Sequence, residues 1–197
     1  ITIPRGVDFA EFNPEAVALS RIDALRQKWS ITKADDRLVL LLPGRLTRWK
    51  GQSLAIDALA ALDRSERSRI HLILAGDAQG RDKYVTELEN KIIVHELGGT
   101  VSIVGHTSDM AAAYLASDIV LAPSTRPEAF GRVAAEASAM AKPVIVADHG
   151  GQREIIVEGQ TGTRADPGSA PSLTACIRTL LSLPNAAREG MGQAGQD

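Results

Sequence analysis

Residues Pro123–Gly151 read PSTRPEAFGRVAAEASAMAKPVIVADHGG. In order, the stretch contains a polar turn with Pro127, a small-residue helical pattern beginning near Gly131, the apolar run Val144–Ala147, and a second turn ending in Gly150-Gly151. A loop, a helix N-terminus and a short buried strand in succession form a unit of an α/β fold and a natural site for an anionic ligand. Glu128 and Glu136 stand eight positions apart across the helix start. Gly131 is expected to let the backbone approach a ligand closely.

Working outward from this stretch, the same alternation recurs. Continuous apolar runs at 38–42, 70–75, 101–104, 118–122 and 144–147 have the pattern of strands buried on both faces, with a weaker candidate at 161–165. Between and around them, helical periodicity predicts helices over 15–29, 51–62, 81–97, 108–116, 131–141 and 172–183, the last stopped at Pro184. A short helix is expected to close near Ile155–Val157, and the Gly- and Gln-rich residues 190–197 are expected to fray. The implied fold class is α/β, a doubly wound parallel sheet with helices on both faces. Residues 1–14, punctuated by Pro4, Gly6 and Pro14, read as an extended linker leading into one domain that spans 1–197.

Composition narrows the function classes. A formal charge of −2 lacks the basic excess of a nucleic-acid binder, so no nucleic-acid partner is expected. Aromatic residues make up 4% of the chain, which favours close-packed helices on a sheet over an aromatic-rich sandwich. The single cysteine, Cys176, excludes an internal disulfide and a zinc site built on several thiolates, and its apolar-periodic surroundings suggest a packing role. No apolar run approaches about 18 residues, and no signal-peptide layout opens the chain, so a cytoplasmic location is expected. The opening ITIPRGVD reads as the interior of a longer protein.

In parallel α/β sheets, ligands bind beyond the carboxyl ends of the strands, so the polar residues that follow each run carry the information. These are Arg45 and Lys50, then Asp77, His106, Glu128 and Gly150-Gly151. Arg45 offers a fixed fork of donors and Lys50 a mobile point charge, a pairing suited to a diphosphate. The bland alternative is that both are solvated surface cations. Trp49, between them, has two readings, covering the site or packing against the sheet edge, and packing is the expected one. Glu128 has an innocent role as a carboxylate at a helix N-terminus. Glu136 has one in an i,i+4 pair with Arg132, worth only about 0.2–0.5 kcal/mol. The small residues of the helix let it sit close to the sheet and turn Glu136 toward the site, with Arg132 expected to face solvent. His71, His95, His106 and His149 show no metal-ligand spacing, no GxxxxGK[ST] or GxSxG pattern occurs, and no GxGxxG follows a strand.

Taken together, Gly44-Arg45-Leu46…Lys50-Gly51, Pro127-Glu128-Ala129-Phe130-Gly131…Glu136, and Gly150-Gly151…Glu154-Ile155…Gly159…Thr161-Gly162 resemble the donor-binding, C-terminal half of group 1 retaining glycosyltransferases with the two-domain GT-B fold. Ile3-Pro4-Arg5-Gly6-Val7-Asp8 is similar to the family's Ile-Pro-Asn-Gly-Val-Asp. The resemblance implies a nucleotide-sugar donor (a UDP-, GDP- or ADP-sugar) and no permanently bound cofactor or required metal. Arg45 and Lys50 would hold its diphosphate, joined by backbone amides around Phe130, Gly131, Arg132 and Val133. Glu136 would take the ribose hydroxyls, Glu128 the hydroxyls of the transferred sugar, and His106 would lie beside the nucleobase. Glu128, Arg45 and Lys50 are the candidate catalytic residues.

The resemblance also implies an N-terminal domain, outside this chain, that supplies a sugar or lipid-linked acceptor and any peripheral membrane contact. The family's final helix would lie beyond residue 197, and the chain by itself would not turn over. Arg5, Arg132 and the Ala141-Lys142 pair depart from the family pattern without removing an expected ligand contact. Two other readings remain open: a sugar-nucleotide epimerase of the same architecture, which needs a different carboxylate set, and a doubly wound interaction module with no ligand.

Overall fold

The structure is a computed structural model that describes residues 6–32 and 34–196. Arg5 and the Ile3-Pro4 part of the linker motif therefore lie outside the described residues. The six strands are β1 (Leu38–Pro43), β2 (Ile70–Ala75), β3 (Val101–Gly105), β4 (Ile119–Ala122), β5 (Val144–Ala147) and β6 (Gly162–Ala165). All neighbours pair in parallel in the order β3-β2-β1-β4-β5-β6. The chain winds outward from β1 to β3, then crosses back to lay β4 on the other side of β1. That reversal places the topological switch point between β1 and β4, where the loops diverge and leave a crevice at the carboxyl ends.

Alternate strand residues feed two cores, as the two-residue period of a strand requires. Leu40, Leu42, Leu72, Leu74, Leu121 and Ile145 face one layer with α2 (Gln52–Ala60), α4 (Asp82–Val94) and α8 (Ala170–Ser182). Val39, Leu41, Ile73, Val120, Val144 and Val146 face the other with α1 (Leu19–Lys28), α5 (Met110–Leu115) and α6 (Arg132–Ala139). Burial on both faces is what makes these strands continuous apolar runs, and the doubly wound class is correct. Among the described residues no helix is long and apolar enough to cross a membrane. Cys176 is buried in the first core, and its burial pushes the thiol above its usual pKa.

Three local expectations need correction. The helix expected over 15–29 is a 3-10 turn at Pro14–Ala16 followed by α1. Val17 and Ala18 are extended between them because Val17 turns into the second core, while Leu19 is exposed. A one-turn helix, α3 (Arg64–Arg67), stands between α2 and β2 on a capping box in which Asp63 and Glu66 each accept from the other's backbone N–H.

The third correction is the C-terminus, which is helical: α9 (Asn185–Gln196) follows the short α7 (Gln152–Ile155) and α8. Its glycines weaken it as an isolated helix, but tertiary contacts hold it against α6 and β6. Arg188 is buried and donates to the Leu180 carbonyl at 3.2 Å and to Leu183 O, while Gln196 Nε2 donates to Ala139 O at 3.0 Å. Gly192 passes so close to the α6 C-terminus that a Cβ there would lie 2.1 Å from Ala141 O. Gly190 faces open space. Gly192→Ala is therefore expected to destabilise the fold by about 1–3 kcal/mol through overpacking. Gly190→Ala should stabilise it by roughly 0.8–1 kcal/mol through helix propensity. Urea denaturation of both variants checks the pair.

Candidate functional site

The site is built from two loops that leave the sheet on either side of the switch point. After β1 the chain passes through Gly44 and Arg45 into a 3-10 turn, Arg48–Lys50, and then α2. After β4 it runs from Pro123 through Glu128 to the start of α6. The loops are fastened together: Thr125 N donates to Trp49 O at 2.8 Å, and Gly51, at φ 86°, has the Pro123 carbonyl 2.3 Å from where a Cβ would stand. Gln52, fully buried, donates from Nε2 to Arg45 O at 3.0 Å and anchors the first loop from beneath.

These loops bring eight expected site residues to one cavity of about 370 Å³: Arg45, Lys50, Glu128, Phe130, Gly131, Arg132, Val133 and Glu136. The volume lies in the range of small-molecule sites. Lys50 Nζ and Glu128 Oε1 form an ion pair of 2.8 Å, with the side chains only 14% and 12% exposed. Arg45 is exposed, and among the described residues its guanidinium has no hydrogen-bond or ion-pair partner. One cation is therefore neutralised within the cavity, and the other, among the described residues, has no counter-charge. Trp49 is not at a sheet edge as expected. It lines the cavity, and Lys50 Nζ lies 4.5 Å from its ring centroid.

Glu136 is buried at the cavity wall and realises both of its sequence readings. Its Oε1 takes the i,i+4 bond from Arg132, whose Nε and Nη2 lie 3.1 and 2.9 Å away, and its Oε2 accepts from the Tyr114 hydroxyl at 2.8 Å. Arg132 is 75% exposed, as expected, yet it is tied to Glu136 and lines the cavity. Burial, reinforced by the Glu136 charge, pushes the Tyr114 phenol well above its usual pKa, so it remains an O–H donor throughout the physiological range.

Gly131 lines the cavity and is also packed against the protein's own turn. At φ 87° its Cα faces α7, where an added Cβ would lie 2.6 Å from Gln152 Cβ, so the close approach is to the protein's own turn. Gly151 N donates to Glu128 O at 2.8 Å and docks that turn on the Glu128 loop. His106 does not join the others. It lines a second cavity of about 420 Å³ with Leu46, Asp77, Asp82 and Ile103, and Leu46 follows Arg45 of the first cavity in the chain. His149 is half-buried and donates from Nε2 to Ser124 O at 2.8 Å.

Gln52, Tyr114 and Ser124 escaped the sequence reading. Each is a lone polar residue inside an apolar or turn pattern; the partner of Tyr114 lies 22 positions away, whereas Gln52 and Ser124 bond within seven and four positions across turns whose shape no local pattern specifies.

The family model for glycosyl transferases group 1 matches residues 23–197. The chain belongs to this family. It is 36% identical over 166 residues to lipopolysaccharide 1,2-N-acetylglucosaminetransferase of Salmonella typhimurium, a match that covers 81% of this chain and 43% of that protein. Among solved structures, a glycosyltransferase from Rickettsia africae ESF-5 superposes with a TM-score of 0.88 at 27% identity, covering 100% of this chain and 51% of that one. Anabaena Alr3699/HepE in complex with UDP-glucose superposes at 0.84 with 32% identity, covering 97% of this chain and 50% of that one. The fold is the Rossmann-like α/β half of a GT-B glycosyltransferase, and this chain spans about half the length of the proteins it matches.

Removing the Tyr114 hydroxyl leaves buried Glu136 Oε2 without its protein donor. Tyr114→Phe should destabilise the fold by about 1.5–3 kcal/mol, the range for a hydrogen bond to a charged group. Equilibrium unfolding in urea measures this directly.

Proposed function

We propose that this chain is the donor-binding domain of a glycosyltransferase, which takes a nucleotide-sugar and transfers the sugar with retention of anomeric configuration. The observation that carries this reading is the single cavity at the β1/β4 switch point, where Arg45, Lys50 and the α6 N-terminus converge on Glu128 and Glu136. Arg45 and Lys50 bind the diphosphate, and the first backbone N–H groups of α6, with the positive end of its dipole, add to them. Glu136 accepts from the ribose hydroxyls, and Glu128 from hydroxyls of the transferred sugar. The second cavity, beside His106, takes the nucleobase, whether uracil, guanine or adenine. Anabaena Alr3699/HepE, which binds UDP-glucose, lends support through its shared fold.

The chemistry follows from where charge develops. As the bond between the anomeric carbon and the diphosphate oxygen breaks, negative charge grows on the leaving group. Fixed cations and amide dipoles aimed there stabilise the transition state more than the ground state. Because this chain spans about half of its relatives, a further domain supplies the acceptor site, and the chain alone binds donor without transferring it. Any peripheral membrane contact and the sugar or lipid-linked acceptor belong to that other domain.

A nucleoside diphosphate that binds the folded state raises the melting temperature by mass action. Titration with UDP, GDP and ADP should give such a shift for at least one of them. Arg45→Ala or Lys50→Ala should abolish most of it, since losing one charged partner of a desolvated pair costs about 2–5 kcal/mol. Glu128→Gln acts in the opposite direction. It frees Lys50 from its counter-charge and should tighten diphosphate binding roughly tenfold, about 1.4 kcal/mol. No shift with any of the three at millimolar concentration contradicts the donor reading.

A further inference from the structure

Glu128 Oε1 has two partners in the empty site. One is Lys50 Nζ at 2.8 Å, and the other is the Ser124 hydroxyl, which donates to the same oxygen. Glu128 Oε2 accepts nothing from the described residues, and Glu128 lines the cavity, so one carboxylate oxygen is held while the other is available. Ser124 itself is only 1% exposed, beyond the reach of a ligand. Its carbonyl accepts from His149 Nε2 at 2.8 Å, and the next residue, Thr125, is tied through its N–H to Trp49 O at 2.8 Å. The hydroxyl is thus fixed by a rigid turn and has one task, which is to donate to Glu128.

The two partners differ in what a ligand does to them. Lys50 is on a long flexible stem, and an entering diphosphate carries more negative charge than the one carboxylate that now holds it. If Lys50 turns toward the phosphates, Glu128 loses half of what fixes its Oε1. A carboxylate this buried needs a hydrogen-bonding partner, so without one it would follow Lys50 or swing away from the sugar. Ser124 is neutral and immobile, and a diphosphate does not compete for it.

We propose that Ser124 is the positioning residue that keeps Glu128 facing the sugar when the donor diphosphate draws Lys50 away. The inference rests on Lys50 binding diphosphate and Glu128 binding the sugar. It assigns Ser124 to discrimination between a nucleoside diphosphate and its sugar conjugate. In the empty site Ser124 and Lys50 duplicate one another; in the loaded site Ser124 acts alone. Its effect is therefore confined to the sugar half of the ligand.

The test is calorimetric titration of the chain with UDP, GDP and ADP and with their glucose, mannose and N-acetylglucosamine conjugates. For the best-binding set, Ser124→Ala should leave the diphosphate Kd within about twofold. It should weaken the conjugate by about tenfold or more, a contrast that a general loosening of the fold does not produce. In a Glu128→Ala background, which removes the acceptor, the same substitution should change neither Kd, because Ser124 acts only through that side chain. Equal weakening of diphosphate and conjugate, or the same loss in the Glu128→Ala background, overturns the assignment and leaves the donor reading intact. A wild-type chain that binds none of these compounds, or gains nothing from any of the sugars, overturns both. Should Ser124→Ala fail to fold, Ser124→Thr against Ser124→Val gives the same comparison, since the two are isosteric and differ in the hydroxyl.

Discussion

The ion pair between Lys50 and Glu128 bridges the one place in this sheet where the winding reverses. Parallel strands with crossovers on both faces leave a crevice only at the switch point, and here it opens between β1 and β4. A cation from the loop after β1 and a carboxylate from the loop after β4 meet across it at 2.8 Å, largely out of water. Neither charge is tolerable there alone, since breaking a buried pair costs about 3–5 kcal/mol. The surrounding structure reads as what that constraint demands. Gln52 fixes the first loop, Thr125 N–H binds the two loops together, and the glycine pair before α7 docks beneath Glu128.

This arrangement gives the empty site an uneven charge distribution with chemical consequences. Lys50 is matched to Glu128, and Arg132 to Glu136, so the cavity interior is close to neutral. Among the described residues that line it, Arg45 alone remains unmatched and is exposed to an incoming anion. A ligand with both a diphosphate and vicinal hydroxyls can exchange partners with each pair, its phosphates taking the cations and its hydroxyls the carboxylates. A ligand with only one of these groups leaves a buried charge stranded.

Much of this was legible in the sequence, for a physical reason. Strands buried on both faces cannot alternate, so 38–42, 70–75, 118–122 and 144–147 stand out, and the polar residues that follow them are automatically at the ligand end of the sheet. Distance along the chain hid the rest. Nothing local tells Lys50 that its partner is Glu128, or Glu136 that Tyr114 lies behind it. The permissive backbone of Gly131 was visible in the sequence, but Gln152, which fills the space where its Cβ would stand, was not. The residues of α9 read as frayed because Gly and Gln are poor evidence of a helix, whereas Arg188 and the contact at Gly192 decide the matter through tertiary packing. His106 follows its strand as expected, but it lines a different cavity from the charged residues.

The central claim is that a diphosphate enters at the β1/β4 crevice and takes Lys50 from Glu128. The most direct measurement is a crystal structure of this chain with a bound nucleoside diphosphate. Phosphate oxygens should lie within hydrogen-bond distance of the Arg45 guanidinium and Lys50 Nζ, with Lys50 turned away from Glu128 and Glu128 still on Ser124. A nucleotide bound elsewhere on the surface, or one seated over an intact Lys50–Glu128 pair, would contradict the account.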